Sequence, residues 1–188
     1  MTPYFADQDW RRPAREAYMR ALAEHRPAMA TVLDWEREGQ LAEVLSWAEE
    51  AAPFVERLVI IPKIPGTVGD VPRSVGGRPV AVGYSIPTRF GATSVPLWEL
   101  RGRTLHLLGG SPQAQMRAWE YLAGVADVAS ADGNMLLKMA NTRCCYWTAA
   151  TTGHGHWQPM DRAVERDATF EAIRLSCENI LAAWESRS

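Results

Sequence analysis

Thr104-Leu-His-Leu-Leu-Gly-Gly-Ser-Pro112 is the stretch on which the fold turns. Residues 104–108 form a short apolar run of strand character, and Gly109-Gly110 breaks it at once. Ser111 is a good helix N-cap, and Pro112 suits the first helical turn, where its missing N–H costs nothing. Behind it Met116, Trp119 and Leu122 form the apolar stripe of an amphipathic helix. Strand, glycine turn and helix in immediate succession are the repeating unit of α/β proteins.

The same alternation extends in both directions. Upstream, Pro13 opens an amphipathic stretch to about His25, with Ala17, Ala21 and Leu22 on one face. Residues 29–33 are an apolar run ending at Asp34, and Leu41, Val44, Leu45 and Ala48 have helical spacing. The run 58–61 is β-branched, as in strands buried on both faces. Residues 62–79 are punctuated by Pro and Gly and read as a long ordered loop, 79–86 as a strand, and 87–100 as a further irregular connection. Downstream, 125–131 reads as a strand, 133–141 as a short helix and 144–149 as a sixth strand. Phe170, Ile173, Cys177, Ile180, Leu181 and Trp184 predict one buried stripe on a terminal helix. We therefore expect a single α/β domain over residues 1–188 with a mainly parallel sheet.

Composition bounds the function. The chain has 188 residues, 47% of them apolar and 22% charged, which is ordinary for a globular domain. A complete (β/α) barrel usually needs roughly 250 residues, so a barrel here is truncated or incomplete. A formal charge of −2 gives no overall electrostatic footprint for gripping nucleic acid. All but Lys63 and Lys138 of the 20 basic residues are Arg, a coding bias that also suits planar recognition of phosphate or carboxylate. No long apolar run and no basic-then-apolar leader is seen, which predicts a cytoplasmic chain with no membrane partner. Cys144, Cys145 and Cys177 have the spacing of neither a disulfide framework nor a metal knuckle. His154 and His156 supply at most two ligands, so no metal site is expected.

In parallel α/β sheets ligands bind beyond the carboxyl ends of the strands. The residues there are Asp34 and Glu36; Lys63; Tyr84, Ser85, Thr88 and Arg89; Gly109, Gly110, Ser111 and Gln113; and Ser130, Asp132 and Asn134. Polar residues also simply favour turns, so convergence is the point to test. Gly109 and Gly110 admit a ligand close to the backbone, and the helix start at Ser111-Pro112 favours a phosphate or an electronegative ring edge. Asp132, before Gly133 and Asn134, is a candidate nucleophile or base, or else an Asp–Gly turn. An acid ending an apolar strand, as Asp34 does, needs a partner, for which Lys63 or an Arg is available. His106, inside its strand, reads as packed rather than catalytic. Trp35, Trp98 and Trp157 fall in loops, as stacking surfaces or buried anchors.

The runs Tyr4-Phe-Ala-Asp-Gln-Asp9, Thr31-Val-Leu-Asp34, Gly83-Tyr-Ser-Ile-Pro-Thr88 and His106-Leu-Leu-Gly-Gly-Ser-Pro112 together resemble a small, divergent branch of the tRNA-guanine transglycosylase superfamily. Its members insert deazaguanines into tRNA or DNA. The resemblance implies a TIM-like (β/α) barrel with Asp34 recognising the base and assisting proton transfer. It implies a base pocket from Gly83, Tyr84 and Ser85 and from Leu108, Gly109 and Gly110, and it makes Asp132 the nearest nucleophile; a strict alignment sets Ala129, followed by Ser130, at that position instead. Lys63, Arg89, Ser111 and Asn134 complete the expected substrate contacts. The family's zinc cluster is missing and about a third of its barrel is absent. The implied chemistry needs no cofactor, the implied partners are a nucleobase or nucleotide, with tRNA or DNA as the polymer, and a homodimer would supply what the chain lacks. Two other classes stay open: a nucleobase-binding module without turnover, and a (β/α) enzyme for another phosphorylated small molecule.

Overall fold

Alternation along the strands explains how the sheet is buried on both sides. The computed structural model describes residues 4–9, 11–87, 92–149, 154–160 and 168–186. In chain order its elements are β1 (Phe5–Ala6), α1 (Arg15–His25), β2 (Met29–Thr31), α2 (Leu41–Ala51), β3 (Arg57–Ile60), β4 (Ser74–Val75), β5 (Arg78–Ser85), β6 (Thr104–Leu108), α3 (Pro112–Leu122), β7 (Asp127–Ala131), α4 (Met135–Arg143), β8 (Cys145–Thr148), β9 (His156–Pro159) and α5 (Ala168–Glu185). The main sheet runs β1-β2-β3-β5-β6-β7, every neighbouring pair parallel, with β4 added antiparallel to β5. Leu58 and Ile60, Val80, Val82 and Tyr84, and Leu105 and Leu107 face the helix-side core. Met29, Val59, Ile61 and Ala81 form a second cluster on the other face, joined by Phe5 and Leu108.

That second face is concave. The Phe5 ring on β1 stacks on His106 of β6 with centroids 4.6 Å apart. Ser130 of β7 reaches the sulfur of Met29 on β2 at 3.9 Å. In a flat sheet, strands four places apart lie about 19 Å from each other, so the sheet curls into a half-barrel whose interior is closed by side chains. Small residues on β5 permit this. A Cβ at Gly83 would come within 2.6 Å of Ile61 Cγ1 and 2.8 Å of Leu108 Cδ1.

α3 starts where its cap predicts. Ser111 Oγ accepts from Ala114 N at 3.3 Å with Pro112 in the first turn of α3. α1 ends on Arg26 at φ 44, whose amide returns to Leu22 O at 2.9 Å. Four readings are corrected. On α1, Met19 joins Leu22 in the core, while Ala17 and Ala21 are exposed. The long 62–79 loop contains a 3-10 turn (Val68–Asp70) and β4. Residues 145–148 do not extend the sheet: β8 pairs antiparallel with β9 as a separate hairpin. The chain turns off at Cys144 (φ 50), and the side chains of α5 satisfy β8, with Trp147 N donating to Ser176 Oγ at 2.9 Å and Asn179 Nδ2 to Trp147 O at 2.9 Å. This contact rotates α5. It buries the small residues Ala172, Ser176 and Ala183 and leaves Phe170, Cys177 and Leu181 exposed. No described helix is long and apolar enough to cross a membrane.

Candidate functional site

The strand ends of the half-barrel open on one cavity of about 570 Å³. Every parallel strand sends at least one group to it: Asp7 follows β1, Asp34 follows β2, Lys63 follows β3, Ser85 ends β5, Gly109 follows β6 and Asp132 follows β7. The backbone ladder continues past the formal strand ends and sets these positions. Trp35 N donates to Ile61 O at 3.0 Å, Lys63 N to Trp35 O at 2.9 Å and Asp132 N to Leu107 O at 2.9 Å. The register between β6 and β7 slips by one residue beyond Leu105, so His106 faces Ser130 rather than Ala129. Such bulges re-aim side chains. Here Ser130 and, two residues on, Asp132 take the concave face.

Asp132 is tethered by the backbone. Its Oδ1 accepts from Gly109 N at 3.0 Å and lies 3.4 Å from Nε2 of the fully buried His106, beyond good hydrogen-bond geometry. His106 Nδ1 pairs with Ser130 Oγ at 2.8 Å, so the histidine is packed, as its place inside the strand predicts. Gln115 of α3 braces the site from behind, its Nε2 donating to Gly109 O at 2.8 Å and to Asp132 O at 2.5 Å. Gly133 packs closely beside it: a Cβ there would lie 3.1 Å from Gln115 Nε2 and 3.2 Å from Gly110 O.

Asp34 stands on the β2 side of the cavity. Lys63 Nζ lies 3.5 Å from Asp34 Oδ2 and donates to Ser85 Oγ at 2.8 Å. Burial pushes the Asp34 carboxyl up to about 6; Lys63 opposes the rise, and the nearby charges of Glu36 and Asp7 add to it. Asp7 is also raised, first by burial and then by the charge of Asp132, against the Thr31 hydroxyl that donates to its Oδ1 at 2.7 Å and against His106. Among the described residues lining the cavity, four carboxylates (Asp7, Asp34, Glu36 and Asp132) therefore face a single ammonium, Lys63.

Of the residues expected at the site, Asp34, Lys63, Ser85, Leu108, Gly109, Gly110, Asp132 and Asn134 line the cavity. Gly83 faces the concave side but lies beneath, against Val59, Ile61 and Leu108. Tyr84 points the other way, since side chains alternate along β5, and its hydroxyl meets Tyr121 of α3 at 3.2 Å. Ser111 is spent on capping α3. Arg89 and Thr88 lie outside the described residues. Trp35 is a buried anchor, donating from Nε1 to Arg37 O at 3.0 Å. His154 pairs with Glu120 of α3 at 2.9 Å. Among the described residues no group of three or more His, Cys, Asp or Glu side chains is placed to hold a metal ion.

Asp7 and Gln115 are the residues that sequence reasoning missed. β1 spans only two residues and carries no readable period. The signal for Asp7 was an acid directly after the apolar pair Phe5-Ala6. Gln115 sits among the apolar positions of α3, where a buried amide is itself a sign of a polar task.

Residues 2–185 match a family of unknown function, DUF6610. The chain belongs to this family. No curated protein and no solved structure matches the chain. As a DUF6610 member it is thus described by its own geometry: six parallel strand ends, an acid-rich cavity and a tethered aspartate.

Proposed function

We propose that this half-barrel is a pared-down TIM-type barrel of the transglycosylase kind. It acts on the N-glycosidic bond of a nucleoside unit and exchanges or releases a guanine- or deazaguanine-type base. The observation that carries the reading is that two carboxylates in contrasting environments face one cavity. Asp34 is buried and raised to about 6, so near neutral pH it exchanges a proton readily. Asp132 is tethered by Gly109 N with its side chain still 27% exposed.

In this scheme the Asp132 carboxylate attacks the anomeric carbon and the C–N bond breaks, its electron pair leaving with the base. Asp34 supplies the proton to the departing base. An incoming base or water then attacks the same carbon and expels the Asp132 carboxylate, while Asp34 takes back a proton. Lys63 and Ser85 orient Asp34, and Gly109 and Gly110 let a planar ring approach the backbone. The scheme applies alike to a free nucleoside and to a nucleoside unit within tRNA or DNA.

A phosphate seat at the start of α3 is less well supported. Gly109 N already serves Asp132, Ser111 Oγ serves Ala114 N, and an anion there would stand beside the Asp132 carboxylate.

The test is incubation of the purified protein with a guanine-containing nucleoside or oligonucleotide and labelled free base. Exchange or release is expected for wild type and falls to background in Asp132→Asn, whose amide oxygen keeps the Gly109 bond. Full activity in that variant removes Asp132 from the nucleophile role. An intact ligand that stays bound to wild type without turnover makes the protein a binding module.

A further inference from the structure

The half-barrel leaves a seam between its edge strands, and no described side chain fills it. A cavity of about 690 Å³ lies between Phe5 on β1 and Ala131 on β7, roofed by Leu136 of α4 and by Ile180 and Trp184 of α5. Gly110, Asp132 and Gly133 border both this cavity and the carboxylate pocket. Asp132 therefore stands at a junction, with an acid-rich chamber on one side and an apolar one on the other.

We propose that the seam cavity is a second subsite of the same centre. It holds an uncharged aromatic or aliphatic group carried on the sugar of the molecule whose base fills the carboxylate pocket. This rests on the N-glycoside reading and narrows its substrate to nucleosides substituted with an apolar group rather than a phosphate.

Three observations carry it. First, a molecule attacked by Asp132 lies at the boundary of both chambers, so its two ends enter different surroundings. Second, Asp132 is the one carboxylate or basic side chain among the described residues lining the seam. Among those residues a phosphate would meet a carboxylate and no cation, whereas an apolar group gains by leaving water. Apolar walls with few polar groups are the usual make-up of a small-molecule site of this size. Third, Tyr4 and Leu181, at the β1 and α5 walls, are each 62% exposed. α5 leaves Leu181 there because its buried face is committed to β8.

The test uses the full chain and three probes: guanosine, guanosine 5′-monophosphate and the 5′-O-benzyl ether of guanosine, with affinity read by calorimetry. The benzyl ether is expected to bind about tenfold tighter than guanosine, the scale of burying part of one aromatic group, and the monophosphate more weakly than either. Ala131→Trp, which fills the seam, brings the benzyl ether back to the guanosine value and leaves guanosine unchanged. Leu181→Arg, a surface change that spares the fold, narrows the gap between the benzyl ether and the monophosphate.

Equal affinity of guanosine and its benzyl ether overturns the proposal, as does a benzyl advantage that survives in both variants. If guanosine itself does not bind, the N-glycoside reading fails, and the seam is read separately with 4-fluorobenzyl alcohol by fluorine NMR. Binding that Ala131→Trp abolishes then upholds the apolar subsite, and no binding overturns it. A dimer in sedimentation that Leu181→Arg dissolves assigns the seam to a second copy of the chain and overturns the proposal.

Discussion

Asp132 accepts a hydrogen bond from the Gly109 amide at 3.0 Å, so the carboxylate that follows β7 is tied to the turn that follows β6. The tether uses the turn's own anion-binding group to hold an acid in place. It converts a glycine turn that resembles a phosphate loop into a positioning device for a carboxylate. Gln115 completes it, since the same amide nitrogen holds the carbonyls of Gly109 and Asp132.

Gln115→Met keeps the length of the side chain and removes the amide. The two carbonyls lose a donor in a site that excludes most solvent, which costs about 1–3 kcal/mol. Urea unfolding should show that loss, and ligand affinity at the cavity should fall with it. An unchanged midpoint would mean that water replaces the amide and that Gln115 is no brace.

Asp34 makes stability depend on pH in a stated direction. Its carboxyl is raised from 3.8 to about 6, so the folded protein holds that proton more tightly than the unfolded chain does. The favourable contribution is complete below 3.8 and is lost as pH rises through about 6. Asp34→Asn carries no such loss. The variant should gain on wild type as pH rises across this window, reaching on the order of 1–3 kcal/mol above it. Thermal unfolding from acid to mildly alkaline pH reads this directly, and parallel profiles for the two proteins would contradict the assignment.

Lys63 pulls the Asp34 carboxyl down against burial. Lys63→Met removes that pull, and the Asp34 midpoint should climb above its present value of about 6. Carbon NMR of labelled aspartate carboxyls follows it. A midpoint that stays put or drops would place the ammonium elsewhere in solution.

Gly83→Ala tests the curl of the sheet. The new methyl meets Ile61 and Leu108 in the concave layer, where nothing gives without disturbing the packing. A loss of about 1–3 kcal/mol is expected from such overpacking, measured by chemical denaturation. A neutral result would show that the half-barrel opens easily at β5.

The local grammar of the chain was legible in the sequence. Short apolar runs located β3, β5 and β6, and Ser111-Pro112 marked the start of α3, because such signals act over a few residues. Polar groups at strand ends were legible for the same reason, and Asp34, Lys63 and Asp132 do meet on one cavity. The face each residue takes was not. Tyr84 and Ser85 are neighbours in sequence, yet the pleat sends one to the helices and the other to the cavity. The stripe on α5 misled because its partner is Trp147, far off in the chain, and small residues suit that contact better than Phe170 or Leu181.

Sequence alone thus determined the order of the helices and of β2, β3, β5, β6 and β7, the mainly parallel sheet and most of the acids and glycines at its rim, all of which follow from short-range periodicity and turn chemistry. Tertiary structure alone decided the rest. Contacts between strands four places apart curl the sheet and stack Phe5 on His106. That closure brings Asp7 near enough to Asp132 for their charges to interact, and the slipped register between β6 and β7 turns Ser130 and Asp132 inward. These are outcomes of long-range packing, in which one residue of register changes the face of every side chain beyond it.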